Sequence, residues 1–233
     1  MRLTATLTAF GKTCAMRITL PSGTVAEIAS PATPPTMGLV IAPDIWSLRP
    51  LYDQMVERLV REWGMAVCAV EPFPGRMLAA EIEPRFAAVP TLDDAIHLRD
   101  LHEAADALGT SRVGLMGFCM GGMYCFKSAI SPRFARIASF YGMIRLPEKW
   151  RSTTQGEPLD YLRRGDASKV LALIGTADPY TPAHDVDELR SVGCSVVAYE
   201  AAEHAFAHDA TRPSYREADA RDAFSRAREW LLG

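Results

Sequence analysis

The sequence predicts an α/β fold in one domain, and three observations lead there. Apolar runs suited to strands buried on both faces recur at Gly38–Ala42, Met65–Val70, Arg112–Met116, Arg136–Phe140, Val170–Ile174 and Ser195–Tyr199. Helical patterns alternate with these runs. No internal repeat and no low-complexity linker divides the 233 residues, a length that suits one domain spanning 1–233. Strand followed by helix, repeated, requires crossover connections and gives a mostly parallel sheet with helices on both faces.

Taken in order, the first 30 residues read as short strands with turns: Leu3–Ala9, Met16–Leu20 before Pro21-Ser22-Gly23, then Val25–Ala29. This antiparallel-looking start belongs at one edge of the sheet. Leu51, Met55, Leu59 and Trp63 fall at steps of four. Leu98, Leu101, Ala105 and Leu108 fall at steps of three and four. A last amphipathic helix carries Ala220, Ala223, Phe224, Ala227, Trp230 and Leu231 on one face. Two stretches, Glu71–Pro90 and about 142–165, fit neither period; loops of that length in a compact domain are covers over a site or carry small extra helices.

Composition excludes several function classes. Apolar residues make up 48% and charged residues 23%, an ordinary globular balance. The net charge of −3 and the scattered basic residues provide no footprint for nucleic acid. The longest uncharged stretch in the apolar middle, Val113–Phe126, carries four glycines and falls short of the roughly 20 residues that span a bilayer. The N-terminal residues lack the apolar run and cleavage site of a signal peptide. The five cysteines, Cys14, Cys68, Cys119, Cys125 and Cys194, are odd in number, widely spaced and without a CxxC pair. That usage argues against a disulfide framework or structural zinc, and the expected location is cytoplasmic.

The informative segment is Gly117-Phe118-Cys119-Met120-Gly121-Gly122, directly after a strand and directly before a helical run. This is the nucleophile-elbow pattern with Cys in place of Ser. A sharp strand-to-helix turn strains its central residue and crowds its neighbours, hence the small Gly117 and Gly121. The central thiol sits at a helix N-terminus, where free amides and the helix dipole favour a thiolate over the ordinary pKa of about 8.5. The spacing of the glycines fits neither a dinucleotide fingerprint nor a phosphate-binding P-loop.

A nucleophile on this scaffold needs a carboxylate and then a His, in that chain order. Asp178 follows the Val170–Ile174 run within Gly175-Thr176-Ala177-Asp178, and His204 follows the Ser195–Tyr199 run. Separations of 59 and 26 residues leave room for the intervening strands and helices, so all three side chains are expected above one sheet edge. In such a constellation the Cys119 sulfur attacks a carbonyl carbon, His204 shuttles the proton and Asp178 fixes the imidazole tautomer. The oxyanion donors expected are the amide of Met120 and one from the loop after Gly38–Ala42, at Ile45 or Trp46.

These segments resemble the dienelactone hydrolase family of α/β-hydrolases. The resemblance rests on Gly117-Phe118-Cys119-Met120-Gly121-Gly122, on Gly175-Thr176-Ala177-Asp178 with Pro182, on His204-Ala205-Phe206 and on Ile41-Ala42-Pro43-Asp44-Ile45. It covers the chain from about residue 38 to the end. It implies the α/β-hydrolase fold, a Cys119–His204–Asp178 triad, and the amides of Ile45 and Met120 as oxyanion hole. It implies an ester or lactone hydrolase working through an acyl-enzyme on a small-molecule substrate. Asp44 stands where members resembling the namesake enzyme carry a Glu that contacts the resting thiol, and the resemblance gives Asp44 that role. His208 stands where the namesake pattern has an Arg holding the substrate carboxylate, so His208 is the substrate-binding candidate, with Arg49, Arg76, Arg85 and Arg145 as possible substitutes.

Other readings follow from the same residues. A thioesterase or acyltransferase can use the same triad, and a non-catalytic binding protein can use Cys119 as a redox switch. His204 and His208, four apart beside Glu203 and Asp209, have the spacing of metal ligands on a helix, but the segment is not helical in pattern, and neither metal nor cofactor is expected. His97 and His102 read as solvated, His184 as the first turn of a helix, and Cys68 and Cys125 as packing residues. The oligomeric state is not legible.

Overall fold

The computed structural model describes residues 15–233. Eight strands form one sheet: β1 (Met16–Thr19), β2 (Val25–Ala29), β3 (Gly38–Ala42), β4 (Ala66–Val70), β5 (Val113–Phe118), β6 (Arg136–Phe140), β7 (Val170–Gly175) and β8 (Ser195–Tyr199). Their order is β1-β2-β4-β3-β5-β6-β7-β8. The pairs β1–β2 and β2–β4 are antiparallel, and every pair from β4 to β8 is parallel. The antiparallel start therefore occupies one edge, as its turn chemistry predicts. The expected Leu3–Ala9 strand lies outside the described residues.

Strand alternation divides the core into two layers. Leu39, Ile41, Val67, Met116 and Phe118 face one way, and α1 (Pro50–Trp63) and α7 (Glu217–Leu232) cover them. Val40, Cys68, Val113 and Leu115 face the other way, under α3 (Asp94–Ala107) and α4 (Met120–Lys127). Proline at its start and Gly64 in the left-handed conformation just past its end delimit α1. Its buried stripe is Tyr52, Met55, Val56, Leu59 and Val60, with Leu51 and Trp63 only partly covered.

The two stretches without a clear period carry small helices: α2 (Ile82–Ala88) in the first and α5 (Pro158–Arg164) in the second, with a further helix α6 (Ala183–Ser191) after β7. The second stretch is tied down from below. Buried Asp94 accepts two hydrogen bonds from the Lys127 ammonium, at 2.7 and 3.0 Å, one from the amide of Gly156 and one from the Tyr161 hydroxyl. One carboxylate thus joins α3, α4 and α5.

His97 corrects an expectation. It is buried and stacked on Tyr124, with ring centroids 3.7 Å apart, because α3 turns that face onto α4. His102 is also partly covered and packs against Phe134. Cys68 and Cys125 are buried packing residues, and burial pushes the Cys68 thiol up to about 12.

The junction of β5 and α4 sets the position of everything above it. A Cβ on Gly121 would fall 1.9 Å from the carbonyl oxygen of Ala42, and one on Gly117 would fall 2.4 Å from that of Gly121. Only hydrogen at these positions lets the first turn of α4 lie against the backbone at the end of β3. Gly121→Ala is therefore expected to cost about 1–3 kcal/mol or more through overpacking against backbone that cannot yield, read as a lowered Tm. A Tm equal to wild type would contradict this close approach.

Candidate active site

Cys119 occupies the turn between β5 and α4 with φ 55° and ψ −116°, a conformation that side chains with a Cβ rarely adopt. Among the described residues five non-glycines have positive φ: Ser47, Cys119, Tyr141, Ala201 and Ala205, of which Ala205 lines the same cavity as Cys119. Strain of this kind costs on the order of 1–3 kcal/mol per residue and persists where surrounding structure over-determines it.

The three residues expected to meet do so. Asp178, buried past the end of β7, accepts a hydrogen bond from His204 Nδ1 at 2.7 Å with one oxygen, and from the amide of Tyr180 at 2.9 Å with the other. The His204 ring lies between the edges of Tyr141 and Tyr180, with centroids at 5.3 and 5.0 Å. Burial opposes charging of this ring, but the Cys119 sulfur beside it and the Asp178 carboxylate outweigh burial and raise its pKa to about 10.

The two amides expected to receive an oxyanion have no acceptor among the described residues. Met120 opens α4, and Ile45 lies in the loop after β3. The alternative donor in that loop, the amide of Trp46, is committed to Asp44 Oδ1 at 3.0 Å. Of the pair left open by the sequence, Ile45 is the one whose amide is available.

Asp44 departs from the expected contact with the thiol. Its oxygens accept from Arg49 Nη1 at 2.6 Å, Arg49 Nη2 at 3.0 Å, His208 Nε2 at 2.8 Å and the amide of Trp46. With a side chain one methylene shorter than Glu, and with these donors around it, its carboxylate is directed into the loop and the buried layer. Burial alone would raise its pKa, yet the hydrogen bond from His208 and the charge of Arg49 hold it well below the ordinary 3.8.

His208 likewise departs from the expected substrate contact. It borders the cavity, but its side chain is fully buried and stacks on Phe118 at 4.8 Å. Burial lowers its pKa, so the ring is neutral. A carboxylate only accepts, so Nε2 carries the proton towards Asp44, and Nδ1 accepts from the Tyr141 hydroxyl. Both nitrogens are spent on protein. With His204 held by Asp178 and His208 by Asp44, the two rings serve separate carboxylates.

A cavity of about 280 Å³ opens onto Cys119, His204 and Ile45. Its walls are apolar and largely aromatic: Trp46, Ile82, Phe86, Met143, Trp150 and Tyr180. None of the four substitute arginines lines it. Arg49 binds Asp44 and Asp209, Arg76 binds Thr91, Arg85 binds backbone and Ser47, and Arg145 binds Asp185 and Glu188. The cation in its wall is Arg212, 3.8 Å from Asp209. Sequence reasoning missed it; the available signal was its place eight residues past His204, in the same loop.

The pH dependence of stability follows from Asp44. Because its folded pKa is depressed, its contribution is complete above the unfolded carboxylate value and is lost as pH falls below about 4. Asp44→Asn is expected to lose about 3–5 kcal/mol at pH 7, the cost of breaking a buried pair, and the gap to wild type should close towards pH 2. Urea titrations at several pH values check this, and a gap that persists unchanged on acidification would contradict it.

The family model described as "Dienelactone hydrolase family" matches residues 25–232. A Bradyrhizobium sp. protein named "Probable 2-oxo-3-(5-oxofuran-2-ylidene)propanoate lactonase" is 29% identical over 153 residues, 59% of this chain and 59% of its own. A Methylorubrum extorquens protein named "Putative carboxymethylenebutenolidase" is 34% identical over 156 residues, 61% of this chain and 52% of its own. The chain thus spans between about half and three fifths of the length of these two curated relatives. Among solved structures, one titled "Putative Dienelactone Hydrolase", from Klebsiella pneumoniae, superposes with a TM-score of 0.82 at 26% identity, covering 94% of this chain and 98% of that one. The sheet order and the superposition over 94% of the chain agree with the matched model: this chain belongs to the dienelactone hydrolase family and has its α/β-hydrolase fold.

Proposed function

We propose that this chain is a cysteine-dependent hydrolase of small esters or lactones, acting through a Cys119–His204–Asp178 triad and an acyl-enzyme. The observation that carries the reading is the strained elbow at Cys119 beside a His204–Asp178 pair closed at 2.7 Å, with Cys119 and His204 on the wall of an aromatic cavity and Asp178 buried behind them.

The chemistry follows from the arrangement. The Cys119 sulfur, its proton passed to His204, adds to the substrate carbonyl carbon. The carbonyl oxygen becomes an oxyanion, received by the amides of Ile45 and Met120. Removing one such donor costs on the order of 10²–10³ in rate. Collapse breaks the carbon–oxygen bond of the ester, and His204 returns its proton to the departing alkoxide. In a lactone that alkoxide stays tethered to the acyl group. Water, deprotonated by His204, then attacks the thioester, and Cys119 leaves as thiolate with the imidazolium restored beside it. Asp178 holds Nδ1–H throughout, keeping Nε2 towards the sulfur.

The cavity's size and its Trp, Phe and Tyr walls favour flat, apolar reactants, and Arg212 offers the charge that an anionic substituent would meet. Hydrolysis as the outcome, with water as acceptor of the acyl group, is part of the same proposal. No helix among the described residues is long and apolar enough to cross a membrane, and nothing in the reading requires one.

Turnover of p-nitrophenyl acetate tests the assignment. Cys119→Ala should reduce it to background, and Cys119→Ser should leave a small remainder. His204→Ala should lower kcat about 10²–10⁴-fold, the usual contribution of a general base, and slow iodoacetamide labelling of Cys119. Equal turnover by wild type and a folded Cys119→Ala would remove this nucleophile.

A further inference from the structure

Arg85 lies outside the cavity that holds Cys119, on α2, and is only 7% exposed. Its hydrogen bonds all go to neutral oxygens. Nε donates to Ala79 O at 3.0 Å and Nη2 to Leu78 O at 3.4 Å, which fastens the guanidinium to its own segment. Nη1 donates to Ile45 O at 3.0 Å and to Ser47 Oγ at 2.9 Å, which fastens that segment to the loop after β3. The guanidinium also stands over the Trp46 ring, 5.5 Å from its centroid.

The effect on the loop appears peptide by peptide. The Asp44 amide donates to the Tyr52 hydroxyl at 2.8 Å, which fixes the unit before Asp44. The unit joining Ile45 to Trp46 is held at both ends: its N–H by Asp44 Oδ1, its C=O by Arg85. Between these lies the unit joining Asp44 to Ile45. Its carbonyl accepts weakly from the Ser47 amide at 3.3 Å, and its N–H, that of Ile45, has no acceptor among the described residues. A peptide unit can turn about the line joining its two Cα atoms without moving its neighbours, so its direction is set by the bond its own carbonyl accepts from the Ser47 amide, and Arg85 holds the residue that donates that bond. Ser47 closes the loop with φ 67°, a conformation that needs outside support, and its hydroxyl is one of the groups Arg85 holds.

We infer that Arg85 is a positioning residue for the reaction proposed above: it touches no reacting atom and holds the loop so that the Ile45 N–H points where the oxyanion forms. The inference rests on the reading of Ile45 as an oxyanion donor. It also gives α2 two tasks, because Ile82 and Phe86 on the same helix line the cavity. The wall that meets a bound ester is the element that aims the amide at it. Only an arginine suits the place, since its planar fork reaches several separated oxygens at once, whereas an ammonium is a single point.

The test compares two reactions of the same sulfur. Iodoacetamide alkylation displaces iodide at a tetrahedral carbon and forms no oxyanion, so it reads Cys119 and His204 alone. Acylation by p-nitrophenyl acetate needs the oxyanion donors. Arg85→Ala is expected to lower kcat about 10–100-fold, short of the full loss of a donor, with KM within about threefold and the alkylation rate within about twofold of wild type. Arg85→Lys should fall between the two and serves alone if Arg85→Ala does not fold. A folded Arg85 variant with unchanged kcat, or one whose kcat and alkylation rate fall together, would overturn the positioning role. Inactive wild-type enzyme, or turnover that survives Cys119→Ala, would instead count against the cysteine reading itself.

Discussion

The passage of β5 into α4 forces one residue into a conformation that the backbone resists, and the surroundings are built to hold it there. Cys119 has φ 55°, and its neighbours Gly117 and Gly121 carry no side chain because the backbone of Ala42 and the first turn of α4 already fill that space. The close contact that excludes a Cβ at Gly121 also seats the start of α4 beside the loop after β3, bringing the Met120 and Ile45 segments to the same rim. Two further side chains are arranged near that fixed sulfur: Asp178 from the loop after β7, and His204 from the loop after β8.

Charge near the sulfur is segregated by a simple difference in partners. His204 keeps one face towards Cys119 and the other towards Asp178, and its pKa is raised to about 10. His208, four residues on, sits between a carboxylate and a phenol under Phe118, and burial keeps it neutral. Asp44, which would repel a thiolate if it faced one, is turned instead into a lattice of Arg49, His208 and the Trp46 amide. The same carboxylate that is withdrawn from the thiol orders the loop bearing the Ile45 amide.

Much of this was legible in the sequence because strand ends are legible. Apolar runs of five or six residues located β3 to β8, and residues close past the carboxyl ends of parallel strands lie on a common rim; the glycine pattern of the elbow then picked out Cys119, and the chain order of acid and base picked out Asp178 and His204. What was not legible depends on the directions of long side chains. Arg85, Arg49 and Arg145 looked equivalent as charges in a sequence, yet each spends its guanidinium on a different set of oxygens. The fates of Asp44 and His208 were hidden for a related reason: a pairing across 164 residues leaves no periodic mark. His97 read as solvated because the polar residues around it mask which face of α3 meets α4.

The enclosure around Cys119 has a separate origin from its chemistry. Trp46, Ile82, Phe86, Met143, Trp150 and Tyr180 come from excursions between strands, whereas the sulfur is anchored directly at the end of one. Exchanging an excursion leaves the hydrogen bonds of the parallel ladder intact. A lineage built this way can remould much of the chamber, and with it the range of molecules admitted, while the elbow at the end of β5 stays as it is. Three excursions do more than wall the chamber: that of α2 holds the Ile45 carbonyl, that of Trp46 also bears Ile45, and that of Tyr180 also bears Asp178 and donates a hydrogen bond to it.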